Sequence, residues 1–450
     1  MTPTIPPPPR AWSVTSLGPR AVRSPLGLST VPDDEVPDYT EDGVRISFEI
    51  EHRLSEAEED RTPSFEKAGP REKIFFEPER TRAGIVTCGG LCPGINNVVR
   101  SIVLQLVHKY GVREVLGFRY GYEGLDPDRM VQPDVLTPDA VRHIHHRGGT
   151  ILGSSRGKRD AGAMVDVLEK HGVDILFAIG GDGTMRGAHA IHEEISRRGK
   201  SIAVVGVPKT IDNDVPYVDR SFGFETAVEM ARMAIDAAHT EALSLRNGIG
   251  LVKLMGRDAG FIAASASLAS HDVNVCLVPE VSFQLEGERG LLRYLERRLE
   301  ARAHAVIVVA EGCGKQRGVD IGPWLKEHIE SHFVEAGVPI TLKYIDPSYM
   351  VRSGPANASD AVFCDALARH AVHAAMAGKT DIVIGRWHRA FTHVPLPLLM
   401  SAGSKEIDPD KQLWLSVIEA TGQPHFGTVH ARAKRKSAEP PPRSSKSGRV

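Results

Sequence analysis

Short runs of β-branched and aliphatic residues, each closed by glycine, proline or polar residues, set the tightest limit on how this chain can fold. They begin at Gly84 (GIVTC), Ile175 (ILFAIG), Ile202 (IAVVGV), Gly250 (GLVKLM), Val275 (VCLVP), Ala305 (AVIVVAEG) and Asp381 (DIVIG). Runs this short and this apolar read as strands buried on both faces. Segments with helical spacing stand between them, among them AGAMVDVLEKHG before Ile175 and ETAVEMARMAIDAAHTEAL from Glu225. Strands alternating with helices predict α/β layers with mostly parallel sheets, and ligands in such folds sit at the carboxyl ends of the strands. Glycine and polar residues are concentrated at those ends.

With 450 residues, 41% of them hydrophobic, the chain has room for two domains and their cores. Residues 1–80 are rich in proline, serine and acids and predict an extension, partly disordered or wrapping a neighbour, with the compact body starting near Arg82. The end, from Ala431, is basic and mixed with proline and serine, which reads as a solvated tail rather than a nucleic-acid contact. Five cysteines without paired metal spacing suit a reducing compartment. No stretch has the length and apolarity of a membrane span, and MTPTIPPPPRAW lacks the apolar core of a signal peptide, so a cytoplasmic location without membrane contact is expected.

Three polar turns follow three of the runs: CGGLCPGINN after GIVT, GGDGTMRG after ILFAI, and PKTIDND after VVGV. Exposed backbone N–H groups at a glycine turn and helix start can cradle an anion. Familiar phosphate motifs do not fit. A Walker-type loop ending at GKT needs a glycine where His373 stands, and Arg186 occupies the place of the last glycine of a dinucleotide fingerprint. GGDGT can be a nucleotide or polyphosphate site, or a tight turn capped by Asp182. TIDND can be an acid-rich cap, or a pair of carboxylates, Asp212 and Asp214, suited to taking a proton from a hydroxyl while others hold Mg²⁺. Arg156 and Arg159, after the turn GGTILGSS, and Arg257 in MGRDAG can neutralise phosphate charge. The histidines of RHIHHRGG read as local structure rather than a metal site.

Taken in order, GGLCPGINNVVR, GYEGL, GGTILGSSR, GGDGT, PKTIDND, KLMGRDAGFIA, VPEVSF, AEG and YIDPSYMVRSGPANASD resemble the 6-phosphofructokinase family over residues 82–430, most of all the branch with lysine in PKTIDND that includes plant and trypanosomal enzymes. The resemblance implies two Rossmann-like, three-layer α/β domains with the active site in a cleft between them. A nucleotide domain would comprise residues 81–225 with 353–410, a sugar-phosphate domain residues 226–352 with 411–432, and residues 433–450 the tail. It also implies transfer of a phosphoryl group from ATP to the 1-hydroxyl of fructose 6-phosphate with Mg²⁺. Asp212 would be the base, with Asp214 beside it, Thr210 on the transferred group, and Lys209, Arg156 and Arg257 as cations. Gly90, Tyr122, Gly157, Gly181, Gly183, Thr184 and Gly187 would line the nucleotide, with Asp182 holding the metal. Met255, Gly256, Arg257, Glu280, Lys343, Tyr349 and Arg352 would hold the sugar phosphate. A homodimer or homotetramer is expected. Where some relatives carry an interface-crossing arginine this chain has Gly248.

Two positions divide the family by phosphoryl donor, and this chain mixes them: Gly183 goes with ATP, Lys209 with pyrophosphate. An aspartate at 183 would put a charge beside nucleotide phosphate at a cost of about 4 kcal/mol for a 4 Å approach in an effective dielectric near 20. Gly183 therefore favours ATP, with pyrophosphate the alternative. Lipid and NAD kinases share GGDGT but do not account for TIDND or MGRDAG, and a non-catalytic, metabolite-sensing relative does not account for Asp212.

Overall fold

The computed structural model describes residues 12–50, 63–129, 131–157 and 159–426; the expectations for the basic tail and for parts of the extension fall outside them. A large sheet of nine strands carries, in spatial order, Arg45–Ser47, Ser64–Lys67, Ala390–Pro395, Ile382–Trp387, Ala203–Pro208, Ile175–Gly180, Arg82–Thr87, Glu114–Phe118 and Asp134–Val135. The five from Ile382–Trp387 to Glu114–Phe118 run parallel, and the flanking strands are antiparallel. A smaller sheet, all parallel, has the order Val275–Leu277, His304–Ala310, Gly248–Leu254, Thr341–Ile345. Every residue of Ile175–Gly180, Ala203–Pro208 and Gly248–Leu254 is buried, because helices cover both faces.

Helices alternate with these strands. Ile95–Leu104 packs against Ala358–Met376 on one face of the large sheet, while Ala161–Lys170 and Asp182–Arg197 pack together on the other. The long helix Phe224–Ser244 leaves the large sheet and packs on three strands of the small one. The chain then returns: Ile382–Trp387 and Ala390–Pro395 join the large sheet, and the helix Gln412–Thr421 packs on Phe261–Ser270 beside the small one.

The body begins earlier than the sequence suggested. Ser64–Lys67 pairs with Ala390–Pro395, and Arg45–Ser47 adds outside it. Trp12 is buried in an aromatic cage, its ring 4.8 Å from that of Phe65 and 5.7 Å from that of Tyr217. Behind the new edge Arg71, 2% exposed, pairs with Glu66 at 3.2 Å, and Lys379 reaches the same carboxylate at 2.9 Å. The aromatic residues driving this packing are spaced far apart in a polar segment, so local composition concealed them.

Among the described residues, no helix is long and apolar enough to cross a membrane.

Candidate active site

Three adjacent parallel strands of the large sheet deliver the three polar turns side by side. Pro208 is in register with Gly180, and Thr87 with Ile179, so Cys88, Gly181 and Lys209 leave the sheet together. The turns are tied: the Lys209 N–H donates to the Gly180 carbonyl and the Cys88 N–H to that of Ile179, each at 2.9 Å. The Lys209 ammonium, 7% exposed, donates to the Gly90 carbonyl at 2.7 Å. Burial pushes its pKa down, and Arg156 and Arg352 oppose its charge too.

A cavity of about 560 Å³ opens here between Gly89, Gly90 and Leu91 on one side and Gly148, Gly149, Thr150, Ser154 and Arg156 on the other. The Ser154 hydroxyl donates to the Gly89 carbonyl at 2.6 Å, and the Gly89 N–H to the Ser155 carbonyl at 3.0 Å. Arg156 is exposed, and its guanidinium lies 3.3 Å from where a Cβ on Gly90 would stand; Gly157 beside it is exposed as well. A Cβ on Gly148 would fall 1.6 Å from the Ser353 carbonyl oxygen, so only glycine lets this turn lie against the segment after the helix Ser348–Ser353. Arg159 does not join the phosphate cations foreseen from sequence: it faces Glu123 and Asp126, each at 3.7 Å.

Asp182 opens the helix Asp182–Arg197 after Gly181, in the field of the helix N-terminus. One of its oxygens accepts from Arg186 at 2.9 Å and its side chain is 71% exposed. Gly183 faces open space, with nothing within 4 Å of a Cβ added there. Thr184 is buried, and its carbonyl accepts the Tyr122 hydroxyl at 2.6 Å; that ring packs so close to Gly187 that a Cβ there would be 2.5 Å from it. Tyr122 and Gly187 therefore brace the first turns of this helix.

In the TIDND loop the Thr210 hydroxyl donates to Asp214 Oδ1 at 2.8 Å and accepts the Asp212 N–H at 3.1 Å. Asp212 Oδ1 is buried and makes no hydrogen bond. Its pKa is pushed up to about 7 by burial, then by the charges of Asp214, Glu311 and Asp258, with Arg352 opposing. Glu311 and Asp258 follow strands of the small sheet, so the carboxyl ends of both sheets converge on Asp212.

From the small sheet, Met255 and Gly256 follow the strand Gly248–Leu254; Met255 is buried and Arg257 exposed. Arg352 donates from Nε to Met255 Sδ at 3.1 Å, which joins its helix to the MGR turn. Glu280 accepts the Gly260 N–H at 3.0 Å and the Ile407 N–H at 2.8 Å. Burial raises its pKa against these bonds. Lys343 and Tyr349 are exposed, Tyr349 by 84%, and neither side chain has a hydrogen-bonding partner among the described residues. A Cβ on Gly248 would lie 2.2 Å from the Ala242 carbonyl, so no side chain fits there. Glu311 and Asp258 stand in the AEG and MGRDAG motifs but were given no role from sequence, and the segment around Lys405 was missed, because only tertiary contact puts them beside the TIDND loop.

Such an arrangement offers an anion cradle at glycine turns, cations beside it, and a desolvated carboxylate able to take a proton near neutral pH. Residues 82–375 match the phosphofructokinase family. The chain belongs to that family. An ATP-dependent 6-phosphofructokinase of Amycolatopsis methanolica is 50% identical over 426 residues, 88% of this chain and 92% of the relative. One of Borreliella burgdorferi is 45% identical over 92% of this chain and 97% of the relative, and ATP-dependent 6-phosphofructokinase 7 of Arabidopsis thaliana 47% identical over 80% and 77%. Among solved phosphofructokinase structures, the pyrophosphate-dependent protein of Marinobacter aquaeolei superposes with a TM-score of 0.64 at 21% identity, over 77% of this chain and 92% of that one. The Pichia pastoris protein in the T-state superposes with a TM-score of 0.61 at 23% identity, over 72% and 36%. At those identities the structural likeness speaks for the phosphofructokinase fold.

Proposed function

We propose that this phosphofructokinase transfers the terminal phosphoryl group of ATP to the 1-hydroxyl of fructose 6-phosphate, a step of glycolysis. Asp212 carries the reading: a buried, unbonded carboxylate oxygen with its pKa pushed up to about 7, set where both sheets end. It takes the proton of the sugar hydroxyl as that oxygen attacks phosphorus, and the ADP oxygen departs in line. Thr210, locked to Asp214, holds the loop and meets the transferred group; Lys209, Arg156 and Arg257 offset its developing charge. The turns at Gly90, Gly157 and Gly181–Thr184 receive the nucleotide phosphates, and open space at Gly183 favours ATP.

Asp182 would hold Mg²⁺: its carboxylate is 71% exposed at the start of its helix, which suits an ion bound through one carboxylate together with substrate. Bound there, it would neutralise phosphate charge. Met255, Gly256, Arg257 and Glu280 hold the sugar, and Lys343, Tyr349 and Arg352 its phosphate. In this reading residues 81–225 with 353–410 form the nucleotide domain and residues 226–352 with 411–432 the sugar domain. The protein works as a cytoplasmic homodimer or homotetramer.

Steady-state turnover of fructose 6-phosphate with Mg²⁺, offering ATP and pyrophosphate separately, tests the proposal. Turnover with ATP alone is expected. Turnover with pyrophosphate alone would transfer the decision from Gly183 to Lys209, and turnover with neither would remove the reaction.

A further inference from the structure

Residues 402–408 form a strap between the two halves of the site. The Lys405 N–H donates to the Asp214 carbonyl at 2.7 Å, and two residues on the Ile407 N–H donates to Glu280. The Lys405 ammonium donates to the Val218 carbonyl at 2.9 Å and the Asp219 carbonyl at 3.3 Å, and lies 5.3 Å from the centre of the Phe261 ring. Phe261 follows Gly260, whose N–H is the other donor to Glu280. One short segment therefore clamps the loop that carries Asp212 to the turn that orients Glu280.

We propose that Lys405 is a positioning residue for the phosphoryl transfer, its ammonium holding the 212–219 loop against the Phe261 and Glu280 side so that base and sugar carboxylate keep their spacing. A cation suits the task, since it satisfies two carbonyls at once and is attracted to the ring face. The proposal rests on the activity proposed above.

The carboxylates acting on Lys405 are Asp219 and Asp214 on the loop; its chain neighbour Glu406 acts on Glu280, and Asp258 acts on Asp212. Arg386, whose carbonyl accepts the Asp219 N–H, sends its guanidinium to the Phe363 ring instead. Burial pushes the Lys405 pKa down to about 8, against the pull of Asp219 and Asp214. Between that value and 10.5 the unfolded chain binds more protons than the folded one, so deprotonation of Lys405 favours the fold as pH rises. The clamp meanwhile loses its charge. The Lys405 contribution to stability then rises above pH 8 while its contribution to activity falls, which a lysine important only for folding would not produce.

The test compares the full chain with Lys405→Met and Lys405→Arg, varying fructose 6-phosphate at saturating ATP and Mg²⁺ across pH, with urea midpoints in parallel. Lys405→Met should lower kcat/KM for the sugar about tenfold, the worth of one lost set of charge-assisted hydrogen bonds, with an undiminished urea midpoint. Lys209, whose pKa burial also lowers, keeps its own alkaline decline in kcat/KM in every variant; the share due to Lys405 should disappear in Lys405→Met and move to higher pH in Lys405→Arg, whose guanidinium stays charged. Wild-type kinetics in Lys405→Met, or an alkaline decline unchanged in Lys405→Arg, overturns the assignment; the second criterion decides if Lys405→Met does not fold. A wild-type protein without turnover overturns the proposed reaction itself, a separate outcome.

Discussion

Replacing Gly183 with aspartate separates the charge argument for ATP from effects on folding. Position 183 lies in the first turn of the helix Asp182–Arg197, exposed, with nothing within 4 Å of a new Cβ. A side chain there meets no steric penalty. Aspartate is a better helix former than glycine by only about 0.3 kcal/mol, and an acid near a helix N-terminus adds about 0.3–1 kcal/mol. The variant should therefore be at least as stable as the parent. The effect on ATP has the opposite sign. A carboxylate about 4 Å from a phosphate charge costs about 1 kcal/mol in bulk water and about 4 kcal/mol at an effective dielectric of 20. Solvent at this exposed turn places the value in the lower part of that range, a loss of about tenfold to hundredfold in kcat/KM for ATP. The assay is steady-state kinetics with ATP, and with pyrophosphate in parallel, at two ionic strengths beside a thermal melt. The loss should shrink at higher salt, as screening requires. ATP kinetics within about twofold of the parent in a folded variant would refute the electrostatic reasoning, because it places any discrimination well below the 1 kcal/mol floor.

Asp212→Asn should lower kcat by roughly 10² to 10⁴, the usual contribution of a positioned base. In the parent, activity should fall as pH drops below about 7, where Asp212 takes up a proton. Because the folded pKa lies above the ordinary 3.8, ionised Asp212 costs stability above pH 7; a urea midpoint at pH 8 should be no lower in Asp212→Asn than in the parent. Trp12→Ala should destabilise by about 3–5 kcal/mol in a denaturant titration, since it empties the cage around Phe65 and Tyr217. Gly148→Ala forces the turn away from Ser353 and should cost about 10²-fold in kcat/KM, read from the same steady-state assay. Chelation of Mg²⁺ should abolish turnover, and its return should restore it at a higher concentration in Asp182→Asn.

Much of the fold was legible because buried parallel strands announce themselves. ILFAIG matches the strand Ile175–Gly180 residue for residue, and DIVIG lies one residue from the start of Ile382–Trp387. The strands Thr341–Ile345 and Ser64–Lys67 lack that signature: the first carries an exposed Lys343 at its centre, and the second has one phenylalanine followed by the adjacent charges Glu66 and Lys67. A strand at a sheet margin is partly solvated and need not be apolar throughout.

The same division runs through the site. Sequence by itself determined that strands end in glycine turns and acids, because backbone approach to an anion admits few residue types and proton transfer admits few side chains. Only the tertiary structure decided which of those groups meet. Asp212 and Asp214 are two residues apart, yet one is hydrogen-bonded by Thr210 while an oxygen of the other is buried and unbonded, a difference made by Glu311, Asp258 and Arg352 arriving from the other sheet. Arg156 and Arg159, three residues apart, were alike in sequence; folding left the first beside Gly90 and spent the second on Glu123 and Asp126. Lys405 carried no local signal, since the carbonyls it holds lie 187 and 186 residues away along the chain. Residue type limits what chemistry a position can perform, whereas desolvation and charge pairing depend on neighbours that only long-range packing supplies.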